Sequence, residues 1–398
     1  MREGWTQSTL AEACKVILGT SPPGNTYNTS GEGTPLINGP VEFSPGAFGQ
    51  TIRSKYTTAP RKMCNVGDLI LCVRGSTTGR MNIAAFDACI GRGVAAIRAN
   101  QYQPWVNYFI HSKQQDIYNL GSGSTFPNIT TSQLSDLPIP LPPLPEQKRI
   151  VAILDEAFAG IDQAVKNTER NLAGARELFE SELDRVFREG GEGSRVRLAD
   201  VCGIESRLVD PKEPRYLDLP HVGGGNMISK TGELINVKTA RDEGLISGKY
   251  LFDDRMVLYS KIRPYLEKVC RPDFQGLCSA DVYPLLPEHR TLNRNYLYYV
   301  LSSRPFTIYA IKGSDRAGMP KVNREHLFAY EFSLPNFEMQ AKLAQRLDSL
   351  GESQSLLGER LREKLALLDE LKQSILQKAF AGELTAGDAD RELAEAGA

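Results

Sequence analysis

The chain predicts an α+β fold. Two similar α/β domains are each followed by a long helix, and the two helices pair as an antiparallel coiled coil with pseudo-two-fold symmetry. Three observations lead there. The sequence repeats itself at long range, two segments carry heptad periodicity, and charge is divided unevenly between globular and helical parts.

The repeat comes first. Residues 122–187 lie over residues 315–380 at a constant offset of 193 with no gap. Phe126-Pro127 falls on Met319-Pro320, Leu141-Pro142 on Leu334-Pro335, Gln147 on Gln340, Leu154-Asp155 on Leu347-Asp348 and Phe187 on Phe380. A period this long exceeds that of a solenoid, so each copy is a domain plus a helix. Upstream the match is looser. Leu10–Cys14 matches Leu198–Cys202 at 188, Asp68–Arg74 matches Arg255–Lys261 at 187, and Cys89 sits 189 before Cys278. On this alignment Arg74 and Lys261 end equivalent strands. The drift places insertions and deletions in the globular parts and a fixed frame in the helices.

The elements follow in order. Residues 1–144 form the first domain, with β-rich runs at Pro35–Asn38, Asp68–Arg74 and Gly93–Arg98. A helix over Trp105–Leu120 follows them, then a Gly-Ser turn at 121–124. Residues 138–145 (PIPLPPLP) exclude a helix interior, because proline lacks the N–H and clashes with the preceding turn. They read as an extended strap into a central helix over 145–193, with Glu146 placed to meet the helix dipole. Leu154, Phe158, Ile161, Val165, Thr168, Leu172, Ala175 and Phe179 alternate spacings of four and three, a heptad seam.

Residues 194–335 repeat the scheme, with strands near Leu219–Gly223, Met256–Lys261 and Val282–Leu286 and a helix over Asn293–Lys312. The distal helix spans 336–380, with a seam of Leu343, Leu347, Leu350, Leu357, Leu361, Leu368, Leu371 and Ile375, interrupted at Gln354 and Lys364. Each helix would span roughly 60 Å at ~1.5 Å per residue. Residues 381–398 read as a frayed polar tail.

Composition narrows the function classes. The whole chain carries a net charge of −1, yet residues 1–144 carry +3 and 194–335 carry +4, while 145–193 and 336–398 carry −4 each. Mildly basic domains favour a polyanion partner. No apolar run is long enough to span a membrane and the N-terminus has no signal-peptide pattern, which predicts a cytoplasmic protein. Seven cysteines without a CxxC pair, and four scattered histidines, predict neither a disulfide framework nor a metal site.

Two segments carry a family likeness. Leu137–Asp155 (LPIPLPPLPEQKRIVAILD) and Ile375–Thr385 (ILQKAFAGELT) resemble the strap and helix segments of type I restriction–modification specificity subunits. Asn65–Gly79 (NVGDLILCVRGSTTG) resembles the strand and Gly-rich loop of that family's target-recognition domains, and Lys261–Leu266 (KIRPYL) its other common form. The second strap, Ser333–Gln340, keeps only part of the proline run.

The resemblance implies a DNA-reading subunit without catalysis, cofactor or metal. Domains 1–144 and 194–335 would each read one half of a bipartite double-stranded site. The helices would fix the spacer and dock two methyltransferase subunits, with motor-nuclease subunits joining the full complex.

DNA reading needs cations for phosphates and fork-shaped or amide groups for base edges. In the first domain the candidates are Arg53, Lys55, Tyr56, Arg74, Ser76, Thr77, Thr78, Arg80 and Arg92. In the second they are Lys249, Tyr250, Ser260, Lys261, Arg263, Tyr265, Lys312 and Arg316. Three rival readings have footholds. Thr20–Gly24 (TSPPG) has the paired prolines of an amino-methyltransferase motif but lacks the aromatic that would stack a flipped base, so it reads as a turn. Asp210, Glu213 and Asp218 could serve a nuclease metal, but in a proline-containing loop with no partner constellation. The heptads alone would suit a protein-joining scaffold.

Overall fold

The computed structural model describes residues 3–121, 128–189, 193–204, 207–314 and 320–385. The chain forms two compact units: Met1–Thr168 with Glu363–Ala398, and Glu169–Arg362. The division falls within the long helices, so each unit owns one sheet-rich body and half of each helix.

In the first unit, strand Thr6–Thr9 pairs antiparallel with Pro138–Leu141. The prolines are tolerated because this is a two-stranded ribbon, where an N–H can point to solvent. A four-stranded sheet runs Cys14–Leu18, Val94–Ala99, Leu69–Cys72, Met81–Ile83 in spatial order. A five-stranded sheet runs Tyr27–Asn28, Lys55–Thr57, Thr34–Ile37, Ala88–Ile90, Met63–Cys64. The continuous apolar run Leu69–Cys72 is explained by burial on both faces. Alternate side chains point opposite ways along a strand. Leu69 and Leu71 therefore join Trp105, Phe109, Leu154 and Leu376 in one core, while Ile70 and Cys72 join Ile37, Cys64 and Ile90 in another.

The second unit repeats this plan. Ser194–Arg197 pairs with Glu331–Leu334, and the four-stranded order is Cys202–Gly203, Val282–Pro287, Val257–Ser260, Val269–Cys270. Leu208–Val209, Lys249–Phe252, Gly276–Cys278, Pro220–Val222 and Lys238–Thr239 form the five-stranded sheet.

Hydrogen bonds show how the copies correspond. Cys72 N–H donates to Arg80 O at 2.7 Å, and Ser260 N–H donates to Lys268 O at 3.0 Å. Val94 faces Cys72 as Val282 faces Ser260. Gly91 N–H donates to Ile37 O, and Ser279 N–H to Val222 O. These set Cys72, Arg80, Gly91 and Val94 against Ser260, Lys268, Ser279 and Val282 at an offset of 188, while Ile37 and Val222 lie 185 apart. This corrects two sequence matches. Arg74 corresponds to Ile262, and Lys261 to Val73; Cys89 corresponds to Leu277. The repeat is fixed by backbone pairing, and a one-residue slip moves every side chain to the other face. Farther along, Tyr108 OH donates to Asp155 Oδ1 at 2.7 Å as Tyr299 OH does to Asp348. Buried Gln147 donates to Pro142 O at 2.9 Å as Gln340 donates to Pro335 O at 2.8 Å.

Both short helices are broken. Gln103–Ser112 and Gln114–Leu120 meet at Lys113, and Arg294–Ser302 and Arg304–Lys312 meet at Ser303. Ser303 is extended and its Oγ caps Phe306 N–H at 3.4 Å, ahead of which Pro305 supplies no N–H to continue the ladder. The motif residues Phe126-Pro127 and Met319, and the tail beyond Thr385, lie outside the described residues.

The central helix is Leu144–Glu189 and the distal helix Phe337–Ala381. The central helix starts inside the proline strap, because Pro145 in the first turn needs no hydrogen-bond acceptor. Pro143 O accepts from Glu146 and Gln147 N–H at 2.9 and 3.0 Å. In the first unit Lys372 reaches Asp162 at 2.5 Å; in the second Arg346 reaches Glu182 at 2.7 Å. Thr385, just past the distal helix, also bonds Glu146 in the first unit, and Gly358 lies against Leu172 in the second, so within each unit the helices run antiparallel. The central seam is as expected. The distal one is corrected: Leu357 and Leu371 are 45% and 46% exposed. Gly358, Leu361 and Leu376 are buried, and Leu365, Leu368 and Lys372 half-buried. Lys372 holds its ammonium 5.5 Å over the Phe158 ring, with its stem in the seam.

Candidate nucleic-acid interface

In the first unit the Gly-rich loop is the tight link between strands Leu69–Cys72 and Met81–Ile83. Gly75 (φ 78°) and Gly79 (φ 89°) take left-handed backbone that costs an L side chain about 1–2 kcal/mol. Arg74, Ser76 and Arg80 are exposed on it, and Thr77 is half-buried. Thr78 is corrected from donor to structural residue: it is 4% exposed and its hydroxyl donates to Gly75 O at 2.8 Å. Arg92 is exposed one residue before Gly93, whose carbonyl accepts from Val73 N–H at 2.9 Å. The fold thus brings Arg92 to the ladder end that carries Arg74. A Cβ on Gly91 would lie 1.9 Å from Asn38 Oδ1, so a larger residue there would displace the Asn38 side chain.

Arg53, Lys55 and Tyr56 stand elsewhere, on and before the strand Lys55–Thr57 of the five-stranded sheet. Arg53 covers the Phe86 ring at 4.7 Å, Lys55 lies 4.0 Å from buried Glu42, and Tyr56 is half-buried.

In the second unit the equivalent loop has a different chemistry at the same geometry. Arg263 (φ 50°) and Glu267 (φ 50°) hold the left-handed positions that Gly75 and Gly79 hold in the first. Between them Pro264–Leu266 forms a 3₁₀ turn that leaves Tyr265 52% exposed. Arg263 is exposed, and its N–H donates to Pro320 O at 2.9 Å.

Lys261 is only partly exposed. Its ammonium donates to Ala280 O, sits 3.4 Å from Asp281 and lies 5.1 Å over the Tyr283 ring. Burial, and then the Lys321 charge, push its pKa down. Ser260 is buried at 2% exposure, and Lys249 at 7% turns inward to donate to Ser247 O and Oγ at 2.8 and 2.7 Å. Both correct the expectation of surface donors, because each strand position faces the core. Tyr250 is half-buried and accepts a hydrogen bond from Arg324. Lys312 is exposed at the end of helix Arg304–Lys312, and Arg316 lies outside the described residues.

Asp281, Tyr283, Lys321 and Arg324 were missed. Lys321 pairs with Asp281 at 3.1 Å, and Arg324 donates to Tyr250 OH at 2.7 Å. For Lys321 and Arg324 the available signal was a position directly after the Met319-Pro320 repeat match, where they replace Asn128 and Thr131.

The residues behind the rival readings are engaged in local pairs and turns. Asp218 pairs with Arg241 at 3.0 Å and Glu213 with Arg215 at 2.8 Å. Pro23 O accepts from Thr26 N–H at 3.0 Å in a 3₁₀ turn. Among the described residues no group of three or more His, Cys, Asp or Glu is placed to hold a metal, and no helix is long and apolar enough to cross a membrane. All seven cysteines are free and buried; burial pushes the Cys64 thiol up to about 11.

The two units therefore define a class: a duplicated frame that carries two chemically different polar turns at corresponding places. A family model described as the type I restriction modification DNA specificity domain matches residues 2–170. The chain is 28% identical over 300 residues to the type I restriction enzyme EcoDI specificity subunit of Escherichia coli, covering 67% of this chain and 66% of that protein. It is 40% identical over 139 residues to the putative type I restriction enzyme MjaX specificity subunit of Methanocaldococcus jannaschii, covering 34% of this chain and 32% of that protein. The chain thus spans less than two thirds of the length of either relative.

Two solved structures share the fold. A chain described under complex assembly and conformational transition of the type I R-M system superposes with TM-score 0.78 at 20% identity, covering 96% of this chain and 99% of that one. The HsdS subunit from Thermoanaerobacter tengcongensis gives TM-score 0.58 at 22% identity, covering 96% and 98%. Over residues 2–170 the chain matches the type I restriction modification DNA specificity domain, and over its length it is similar in sequence and fold to type I specificity subunits.

Proposed function

We propose that this chain is the non-catalytic, cytoplasmic subunit that gives a type I restriction–modification complex its DNA specificity. Residues 1–144 and 194–335 are the two target-recognition domains, each reading one half of a bipartite double-stranded site. The central helix at 145–193 and distal helix at 336–380 set the spacer and dock two methyltransferase subunits. Motor-nuclease subunits join in the full complex.

One observation carries this reading. The buried frame is the same in both units, down to paired tyrosine–aspartate and glutamine–proline hydrogen bonds, while the exposed turns differ. Two different sequence readers on one scaffold need that division. Candidate contacts are Arg74, Ser76, Arg80 and Arg92 in one turn, and Lys261, Arg263 and Tyr265 in the other. Arg53, Lys55, Tyr56 and Lys312 are further surface positions that would extend the footprint. Each reader alone touches few base pairs, and tethering raises the effective concentration for the second engagement.

The test is a methylome map of the host with and without the gene. Loss of one bipartite methylated motif upon deletion is the expected result. An unchanged methylome, with the partner methyltransferase expressed and active, overturns it in favour of a scaffold role.

A further inference from the structure

Arg324 opens the short helix Arg324–Phe328, directly after its cap Asn323, whose Oδ1 accepts from His326 N–H at 2.7 Å. Its guanidinium lies 5.8 Å from the centroids of both the Tyr250 and Tyr283 rings, and Nη2 donates to Tyr250 OH at 2.7 Å. Tyr283 is itself fixed, 5% exposed with its OH donating to Val322 O at 3.3 Å. An arginine side chain in solution samples many rotamers, and ordering it on binding costs roughly 0.5–1.5 kcal/mol. Here the ordering is done by the fold. Tyr250 takes one of five N–H donors, and Arg324 is exposed. Beside it, Asp281 holds Lys261 and Lys321 at 3.4 and 3.1 Å.

The comparison between units separates frame from reader here. Val73 N–H donates to Gly93 O and Val73 O accepts from Ile129 N–H, as Lys261 N–H donates to Asp281 O and Lys261 O accepts from Val322 N–H. Leu71 faces Ala95 as Tyr259 faces Tyr283. Thr130 caps its helix as Asn323 does. The first unit thus places Val73, Gly93, Ala95, Asn128 and Thr131 where the second places Lys261, Asp281, Tyr283, Lys321 and Arg324. At equivalent backbone pairing these charged and aromatic groups belong to one unit alone. A shared scaffold does not need them, so they serve what distinguishes the units.

We infer that Arg324 is a specificity-determining residue of the second reader and that it selects guanine. The inference rests on the DNA-reading function proposed above. A planar guanidinium presents two parallel donors to the O6 and N7 acceptors of guanine in the major groove, a pattern no other base offers. Asp281 is a positioning residue that keeps Lys261 and Lys321 beside the fork, where they meet the adjacent phosphates. Tyr250 and Tyr283 form the backstop that sets the plane of the guanidinium.

The test uses the full chain with its methyltransferase subunits in the native host, comparing wild type with Arg324→Lys. Lysine keeps the charge and loses the fork. The expected methylome shows one guanine turned degenerate in one half-site, with the other half-site and spacer intact. A motif unchanged at every position overturns the proposal and leaves DNA reading standing. A wild-type host with no motif dependent on this gene sinks the underlying reading instead.

If the variant methylates nothing, purified full-length protein is titrated with duplexes that carry the wild-type motif or a single guanine replacement. Wild type should discriminate by about 10- to 100-fold at that position and Arg324→Lys by less than about threefold. Full discrimination retained by a variant with wild-type melting behaviour refutes the assignment.

Discussion

At the scale of single residues, the left-handed pair in the second unit is the most informative. The same turn is glycine at both positions in the first unit, and Arg263 and Glu267 in the second. Such a backbone costs a non-glycine residue about 1–2 kcal/mol and persists where the surrounding structure holds it. Arg263→Gly should therefore raise stability by ~1 kcal/mol in urea denaturation while weakening DNA binding. A loss of stability would show that Arg263 holds the fold. The loop residues themselves were legible in sequence as cations beside glycines. Their burial was not: Thr78, Lys249 and Ser260 fit the same description as Arg80 and Lys261, and only the strand's facing decides between core and surface.

Two histidines make a second residue-scale prediction. His111 and His221 both have depressed pKa values, chiefly through burial, with Lys372 next for His111. Glu243 opposes the shift at His221, with its Oε2 2.7 Å from Nδ1. Around His111 the charged neighbours are Lys372, Asp369 and Asp162, and burial outweighs the two carboxylates. A depressed histidine stabilises the fold above its unfolded pKa near 6.5, and that contribution disappears as pH falls through the lower folded value. Melting temperature should thus drop as pH falls below about 6.5. His111→Phe should flatten the slope; an unchanged slope would assign the proton uptake to other groups.

At the scale of elements, the seams show what periodicity can and cannot tell. The central helix obeys its heptads because its apolar residues are spaced four and three without competition. The distal helix is richer in leucine, with Leu356 beside Leu357 and Leu367 beside Leu368. Its register is therefore ambiguous by one residue. The structure settles the matter by putting Gly358 rather than Leu357, and Lys372 rather than Leu371, toward the partner helix. Leu361→Ala, at 9% exposure, should cost about 2–4 kcal/mol, and Leu371→Ala, at 46%, less than about 1. Equal costs in thermal melts would restore the sequence-derived register.

At the scale of the whole molecule, the proposed spacer role makes its own demand. If the helices act as a ruler, seven residues inserted at matching points of both should keep each seam in phase. Helix rise would lengthen the frame by ~10 Å, about three base pairs of duplex. The methylome should then show the same half-sites with a longer spacer. An unaltered spacer in a folded, active variant would rule the ruler out.

The sequence by itself determined the duplication, the order of domain, helix, domain, helix, and the central seam. These depend on patterns that survive translation along the chain: a gap-free 193-residue offset and a period of three and four. Tertiary structure decided the rest. It set the strand correspondence at 188, and it broke two short helices at Lys113 and Ser303. It also gathered Lys261, Asp281, Tyr283, Lys321 and Arg324 from distant stretches into one cluster. The physical reason is that backbone pairing, not side-chain likeness, fixes register. A one-residue error is invisible in an alignment, yet it exchanges core for surface.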